Sequence, residues 1–135
     1  MQLEIYAEFS QWLDNLLENN DMPEKTAAFN FNLYEESEED SVYGVQLIAA
    51  DRYDAEDGGE WACYEVWSSE EDIFCVSTAD EDDKSWQGAQ KLITEMICEY
   101  LENGKYGRIL TSAQAVGIGF VDGDIDIITD ISDKS

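Results

Sequence analysis

Acid-rich runs divide this chain into short apolar segments, and that division is the strongest constraint on its fold. The runs occupy positions 35–40, 54–60, 70–72, 80–83 and 122–126. Several of the segments between them alternate apolar with polar or small residues, at the period of two that a half-buried strand requires. Because adjacent carboxylates repel one another and stay hydrated, we expect the runs to form turns.

The alternation predicts three consecutive strands in the first half of the chain. The first carries Phe29, Phe31 and Leu33 on one face. The second spans 42–53, with one face made of Tyr43, Val45, Leu47 and Ala49. The third spans 61–67, with one face made of Trp61, Cys63, Glu65 and Trp67. Short connections between them indicate an antiparallel meander, followed by a further short strand at 73–77.

Two segments instead show the three- and four-residue apolar spacing of amphipathic helices. The first covers residues 2–20 and ends before Pro23, because proline disfavours helical geometry in the preceding residue. The second covers 84–103, and its apolar stripe begins at Trp86. Acids at 80–83 suit the positive end of its dipole, and Gly104 stands where a glycine cap belongs.

A hairpin is predicted over residues 116–128, because Asp122-Gly123 separates two alternating runs. This dipeptide is typical of a two-residue type I′ turn. The resulting register places five apolar residues on one face: Val116, Ile118, Phe120, Ile125 and Ile127. Glycines and aspartates occupy the other face.

These elements predict an α+β fold in the order α-β-β-β-(β)-α-β-β. We expect a single, mainly antiparallel sheet of five to six strands with two helices packed on one face, and the other face at least partly exposed. Residues 1–135 are expected to form one domain, because this length can bury a single core. The polar tail at 130–135 is expected to fray.

The net charge of −25, from 32 acidic against 7 basic residues, restricts the partners. Nucleic acid and anionic membranes carry the same sign and are excluded as direct partners. A basic protein is the natural complement. The acidity has one other explanation, adaptation to a high-salt habitat, but the aliphatic and aromatic content is richer than we expect of such a chain.

Cysteine usage and the N-terminal sequence predict a soluble, cytoplasmic protein. Cys63, Cys75 and Cys98 are odd in number and lie in apolar segments, which is typical of reduced, buried thiols. The first residues lack the cations of a signal peptide. No apolar run approaches the ~20 residues that span a bilayer.

The chain lacks the residues of common catalytic sites, so we expect no enzyme activity, no cofactor and no metal. It has no histidine, hence neither the usual general base nor the commonest zinc ligand. Asp122, Asp124 and Asp126 resemble a calcium loop, but Ile127 stands where its glycine is required. A carboxylate-based hydrolase or a metal-binding domain remains an alternative.

Protein binding is therefore the expected function, and we place the site in the acidic, aromatic stretch from Asp51 to Asp83. Tryptophan contributes strongly to interfaces when a pocket desolvates it. The predicted partner-binding residues are Asp54, Glu56, Asp57, Glu60, Trp61, Trp67, Glu70, Glu71 and Asp72.

In size, acidity, α/β layout and lack of catalytic groups, the whole chain resembles the immunity proteins of bacterial toxin–immunity pairs, including polymorphic toxin and contact-dependent inhibition systems. This resemblance implies a cytoplasmic protein that binds a cognate toxin domain, often a basic nuclease, and blocks its active site. An alternative in the same class is a nucleic-acid mimic that inhibits a DNA- or RNA-binding protein.

Overall fold

A computed structural model of the chain describes residues 3–37, 41–54, 56, 59–70, 72–79, 83–120 and 125–130. The helices are α1 (Leu3–Asn19), α2 (Trp86–Asn103) and the short α3 (Gly107–Thr111), with a 3₁₀ turn at Glu60–Cys63. The strands are β1 (Ala28–Ser37), β2 (Val42–Ala50), β3 (Glu65–Ser68), β4 (Phe74–Ser77), β5 (Ala115–Phe120) and β6 (Asp126–Asp130).

All six strands belong to one sheet, in the order β3-β2-β1-β5-β6, with β4 also paired to β2. The meander β1-β2-β3 is antiparallel, as predicted, and β6 is antiparallel to β5. β5 instead runs parallel to β1, because the chain returns to β1 through α2 and α3. The α+β class and the single, mainly antiparallel sheet are confirmed.

The main core lies between the sheet and the helices. Phe31, Leu33 and Leu47 are fully buried on the sheet side, and they pack with Phe9 of α1 and Ile97 of α2. We call this side of the sheet the helix face. Since α1 and α2 both contribute to this one cluster, they cover the same face, as the sequence predicted.

The opposite face of the sheet is covered at one end by Trp61. This side chain is 1% exposed and packs with Ala28, Ile48, Ala50 and Ala115. The small alanines leave the space that the indole fills. Tyr53 meets Trp61 edge-on, with 5.4 Å between the ring centroids.

The predicted strand over 61–67 is wrong in its first half, because residues 60–63 form the 3₁₀ turn. Gly59 opens that turn with φ of 89°, a left-handed conformation that glycine adopts without strain. The turn directs Trp61 onto the alanine-lined face. Trp67 pairs with Ala49 and packs against the helix-face core, so the two tryptophans lie on opposite faces and not on one.

Three predicted boundaries also shift. β1 continues through Glu35 to Ser37, so the predicted turn at 35–40 begins with strand; residues 38–40 lie outside the described ones. β2 ends at Ala50 and not at Tyr53. α2 starts at Trp86, where Ser85 caps it and accepts a hydrogen bond from the Gly88 N–H. The short helix α3 was not predicted.

The hairpin of β5 and β6 is confirmed, but part of its predicted register is wrong. Val116 faces Thr129 as predicted, whereas Ile118 faces Asp126 and Gly117 faces Ile127. A bulge between the two pairs shifts the register by one residue, which exchanges the faces. Residues 121–124, with the predicted type I′ turn, lie outside the described residues.

The bulge has a packing reason. It lets Ile128 reach the helix-face core, while Ile125 packs beside Trp61 on the opposite face. Ile127, predicted to be on the apolar face, is 37% exposed. Asp130, assigned to a frayed tail, is the last residue of β6 and pairs with Ala115; positions 131–135 lie outside the described residues.

Candidate protein-binding surface

The acidic side chains whose burial is described are exposed, except for Asp14, Asp51 and Glu99, which are half-buried. None is buried; the buried polar side chains are Asn30, Ser69 and Thr78. Across the described part of the chain only two ion pairs form, Arg52 with Asp51 at 2.9 Å and Lys105 with Glu18 at 4.0 Å. Most of the negative charge therefore faces solvent without an internal counterion.

The described residues of the loop after β2 present part of this charge next to points of attachment to the sheet. The Asp51 N–H donates a 3.1 Å hydrogen bond to the Tyr64 carbonyl and so closes the loop. Buried Trp61 anchors its centre. Asp54 accepts a 2.9 Å hydrogen bond from the Glu56 N–H, which tightens the bend at that point.

Arg52, the one cation in this loop, is engaged within it. Its guanidinium donates to Asp51 and stacks on the Tyr64 ring, 3.9 Å from the ring centroid. The hydrogen bond from Arg52 lowers the pKa of Asp51 below its ordinary value. Asp54, Glu56 and Glu60 are exposed and have no such neutralising partner among the described contacts.

The two predicted tryptophan anchors are not accessible in the way the sequence suggested. Trp61 is buried, and Trp67 is half-buried against the helix-face core. The exposed aromatic residue of this loop is Tyr64, at 43%. We call Asp54, Glu56, Glu60 and Tyr64 the loop surface. Asp57 lies outside the described residues.

Two other predicted residues, Glu70 and Asp72, contact other parts of the fold. The Glu70 carbonyl accepts a 3.0 Å hydrogen bond from Gln46, whereas the Asp72 carboxylate accepts one of 3.2 Å from Trp12 of α1. Glu70 thus joins the sheet, and Asp72 joins the helix layer. No described contact links either residue to the loop surface, and Glu71 lies outside the described residues.

A second exposed aromatic residue, Trp86, was missed because it begins the apolar stripe of α2. It is 50% exposed and meets Phe120 edge-on, with 5.6 Å between ring centroids. It borders a groove of ≈ 390 Å³ between α2 and the start of β6, lined also by Gln90, Thr94 and Asp126. Its position in the first turn of the helix, next to an acidic run, was the feature of the sequence that could have indicated its exposure.

The thiols are free, and the prediction that they are buried is wrong: Cys63, Cys75 and Cys98 are exposed. Neighbouring protein atoms still strip part of the hydration from Cys98 and raise its pKa, and Glu102 and Glu95 add to that rise. A raised pKa leaves less thiolate at neutral pH, which is opposite to the needs of a cysteine nucleophile.

Among the residues with described positions, no group of three or more cysteine or carboxylate side chains is arranged to hold a metal ion. Within the same residues, no helix combines the length and apolar composition that crossing a membrane requires. No protein-family model, curated protein or solved structure matches the chain.

Proposed function

We propose that this protein binds and neutralises a cationic protein, as an immunity protein neutralises its cognate toxin domain. The observation that carries the proposal is the uncompensated charge. The chain has a net charge of −25, and its described carboxylates lie at the surface with only two ion pairs among them. A magnitude of ~2–8 is enough to keep a small domain soluble.

Charge of this size acts first on association. It attracts a basic partner over distances comparable to the Debye length, about 8 Å at physiological salt, and raises the association rate. If the partner is a nuclease, carboxylates occupy the positions of substrate phosphates and exclude the substrate. The protein needs no catalytic group for this activity.

The loop surface is the proposed contact region. Tyr64 supplies an exposed ring with Arg52 stacked on it, and Asp54, Glu56 and Glu60 of the same loop supply exposed carboxylates. Trp61 and the hydrogen bond between Asp51 and Tyr64 attach the ends of the loop to the sheet before binding. Residues held in this way lose less conformational entropy on association, so more of the contact energy appears as affinity.

The test is co-expression with the protein domain encoded immediately upstream, combined with calorimetric titration of the two purified proteins. We expect rescue of growth and an affinity that falls steeply as salt is added. The triple variant Asp54→Lys, Glu56→Lys and Glu60→Lys is expected to weaken binding by at least about a hundredfold.

The control variant carries the same change in net charge at exposed positions of α1: Glu4→Lys, Glu8→Lys and Glu18→Lys. It separates the position of the charge from its total. Equal weakening by both triple variants would move the contact away from the loop surface. Absence of any salt-sensitive binding to the upstream domain would overturn the proposal, and inhibition of a DNA- or RNA-binding protein instead would favour nucleic-acid mimicry.

A further inference from the structure

We infer that the groove between α2 and β6 binds an extended, cationic segment of the partner, which pairs with β6 as an additional strand. This inference deepens the proposed function and depends on it for the charge of the partner. It concerns a second region of the molecule, distinct from the loop surface.

The sheet ends at β6 on one side. β6 is the last strand in the order β3-β2-β1-β5-β6, and within the described residues it pairs with β5 alone. Its other side therefore offers a row of backbone N–H and C=O groups. Such an edge is a template for a strand from another chain.

A groove lies beside that edge. α2 stands next to the start of β6, where Gln90 donates a 2.7 Å hydrogen bond to the Asp126 carboxylate. The groove of ≈ 390 Å³ is lined along α2 by Trp86, Gln87, Lys91, Thr94 and Glu95. A strand added to β6 would place alternate side chains against this wall.

Trp86 supplies the anchor that the groove needs. Half of its surface is exposed, and Phe120 supports its ring from the sheet side. Tryptophan is over-represented among the residues that dominate binding energy. An aliphatic side chain of an incoming strand would cover the indole, while backbone hydrogen bonds to β6 would set the register.

Charge decides between a foreign segment and a second copy of this chain. Two copies joined edge to edge would bring −25 against −25 and place the acidic strand β6, with Asp126, beside another acidic strand. Like charges opposite one another destabilise a strand pair. A lysine- or arginine-rich segment has the complementary charge, and Asp126 lies within the groove to meet it.

The test uses the full chain and a blocked peptide of about seven residues with alternating lysine and valine, a common strand length. We expect saturable binding that weakens with salt, together with slower hydrogen exchange in β6. The control peptide has the same sequence with every backbone amide N-methylated; it keeps the charge but presents no N–H on either of its edges, so it cannot pair with β6 and should not bind.

Two variants locate the site. Trp86→Ala is expected to weaken peptide binding about tenfold, while Gln11→Ala, at an exposed position of α1, changes it less than about twofold. Asp126→Asn retains an acceptor for Gln90 and should reduce the salt dependence. Circular dichroism confirms that each variant is folded.

Three results would overturn the inference. In the first, the N-methylated peptide binds equally well. In the second, light scattering shows a dimer that Trp86→Ala dissociates, so that the occupant is another copy. In the third, the peptide does not bind although the upstream cationic domain does, which leaves the proposed function standing. If neither binds, both the inference and the proposed function fail.

Discussion

The hydroxyl of Tyr100 in α2 donates a 2.6 Å hydrogen bond to the Asp14 carboxylate in α1 and so joins the two long helices. The same oxygen accepts a 3.3 Å hydrogen bond from the Tyr106 N–H, just before α3. Tyr100 is fully buried, whereas Asp14 is half-buried. One side chain therefore holds three helical segments on the helix face.

Replacing Tyr100 with phenylalanine removes both hydrogen bonds and keeps the ring. We expect the free energy of unfolding to fall by about 1–2 kcal/mol, since a hydrogen bond to a charged group is worth about 1.5–3 kcal/mol and half-buried Asp14 recovers some hydration. Urea denaturation measures the loss. Tyr64→Phe, at an exposed position, is the control, and an equal loss there would contradict a special role for Tyr100.

Tyr100 also predicts how stability responds to alkaline pH. Burial raises its pKa above the ordinary value, and the hydrogen bond to Asp14 raises it further. The unfolded chain releases this proton near pH ~10, before the folded protein does. The stabilisation is thus complete below about pH 10 and is lost as pH rises above it towards the folded pKa. Denaturation at stepped pH should show a shallower decline for Tyr100→Phe, and parallel declines would rule out this residue as the cause.

Trp61, Trp67 and Trp86 should differ in their effect on stability. Trp61→Ala empties the space above Ala28 and Ala115 and is expected to cost about 3–5 kcal/mol. Trp67→Ala should cost less because its ring is half-buried. Trp86→Ala should cost about 1 kcal/mol or less, mainly the contact with Phe120. Chemical denaturation gives the ranking, and a small effect at Trp61 would contradict its burial.

Added salt should stabilise the folded protein. At a net charge of −25 the compact state suffers strong self-repulsion, and only two described ion pairs are weakened by screening. Between ~0.01 and ~0.15 M salt the Debye length falls from about 30 to about 8 Å. The melting temperature is therefore expected to rise over this range in sodium chloride, with sucrose as an uncharged control. A melting temperature that stays constant or falls as salt is added would contradict this prediction.

The start of α2 provides a local test. The Ser85 hydroxyl accepts a 3.4 Å hydrogen bond from the Gly88 N–H, and Asp83 accepts one of 3.0 Å from the Ser85 N–H. Ser85→Ala is expected to cost about 0.5–1 kcal/mol, the low end for a cap because this bond is long. Ser85→Gly should lower the free energy of unfolding by only a few tenths of a kcal/mol. If Ser85→Gly were more destabilising than Ser85→Ala, capping would not be the cause.

In the hairpin of β5 and β6, the sequence predicted one strand correctly but not the full register of the other. Val116, Ile118 and Phe120 were correctly placed together on one apolar face, which the structure shows to be the helix face, because alternation within one strand is a local property. The predicted register of the partner strand β6 was wrong by one residue near the start of that strand. Its register depends on two contacts distant in sequence, Gln90 with Asp126 and Ile125 with the Trp61 cluster, which periodicity does not report.

The candidate surface was also predictable only in part. That the acidic residues face solvent was predictable, since isolated carboxylates are rarely buried. Which aromatic residue of this loop would be exposed was not predictable. Trp61 was the predicted anchor, but it is buried and Tyr64 is exposed instead, since residues 60–63 form a 3₁₀ turn; burying an indole over alanines gains more than continuing a strand.

By itself, the sequence determined the two long helices, the meander, the apolar side of the central strands and the acidic surface. These depend on local periodicity and on charge, which each segment carries wherever it lies. Only the tertiary structure decided the parallel pairing of β1 with β5, the burial of Trp61 and the groove beside Trp86. Those features arise where segments far apart in sequence compete for the same space, and packing settles that competition.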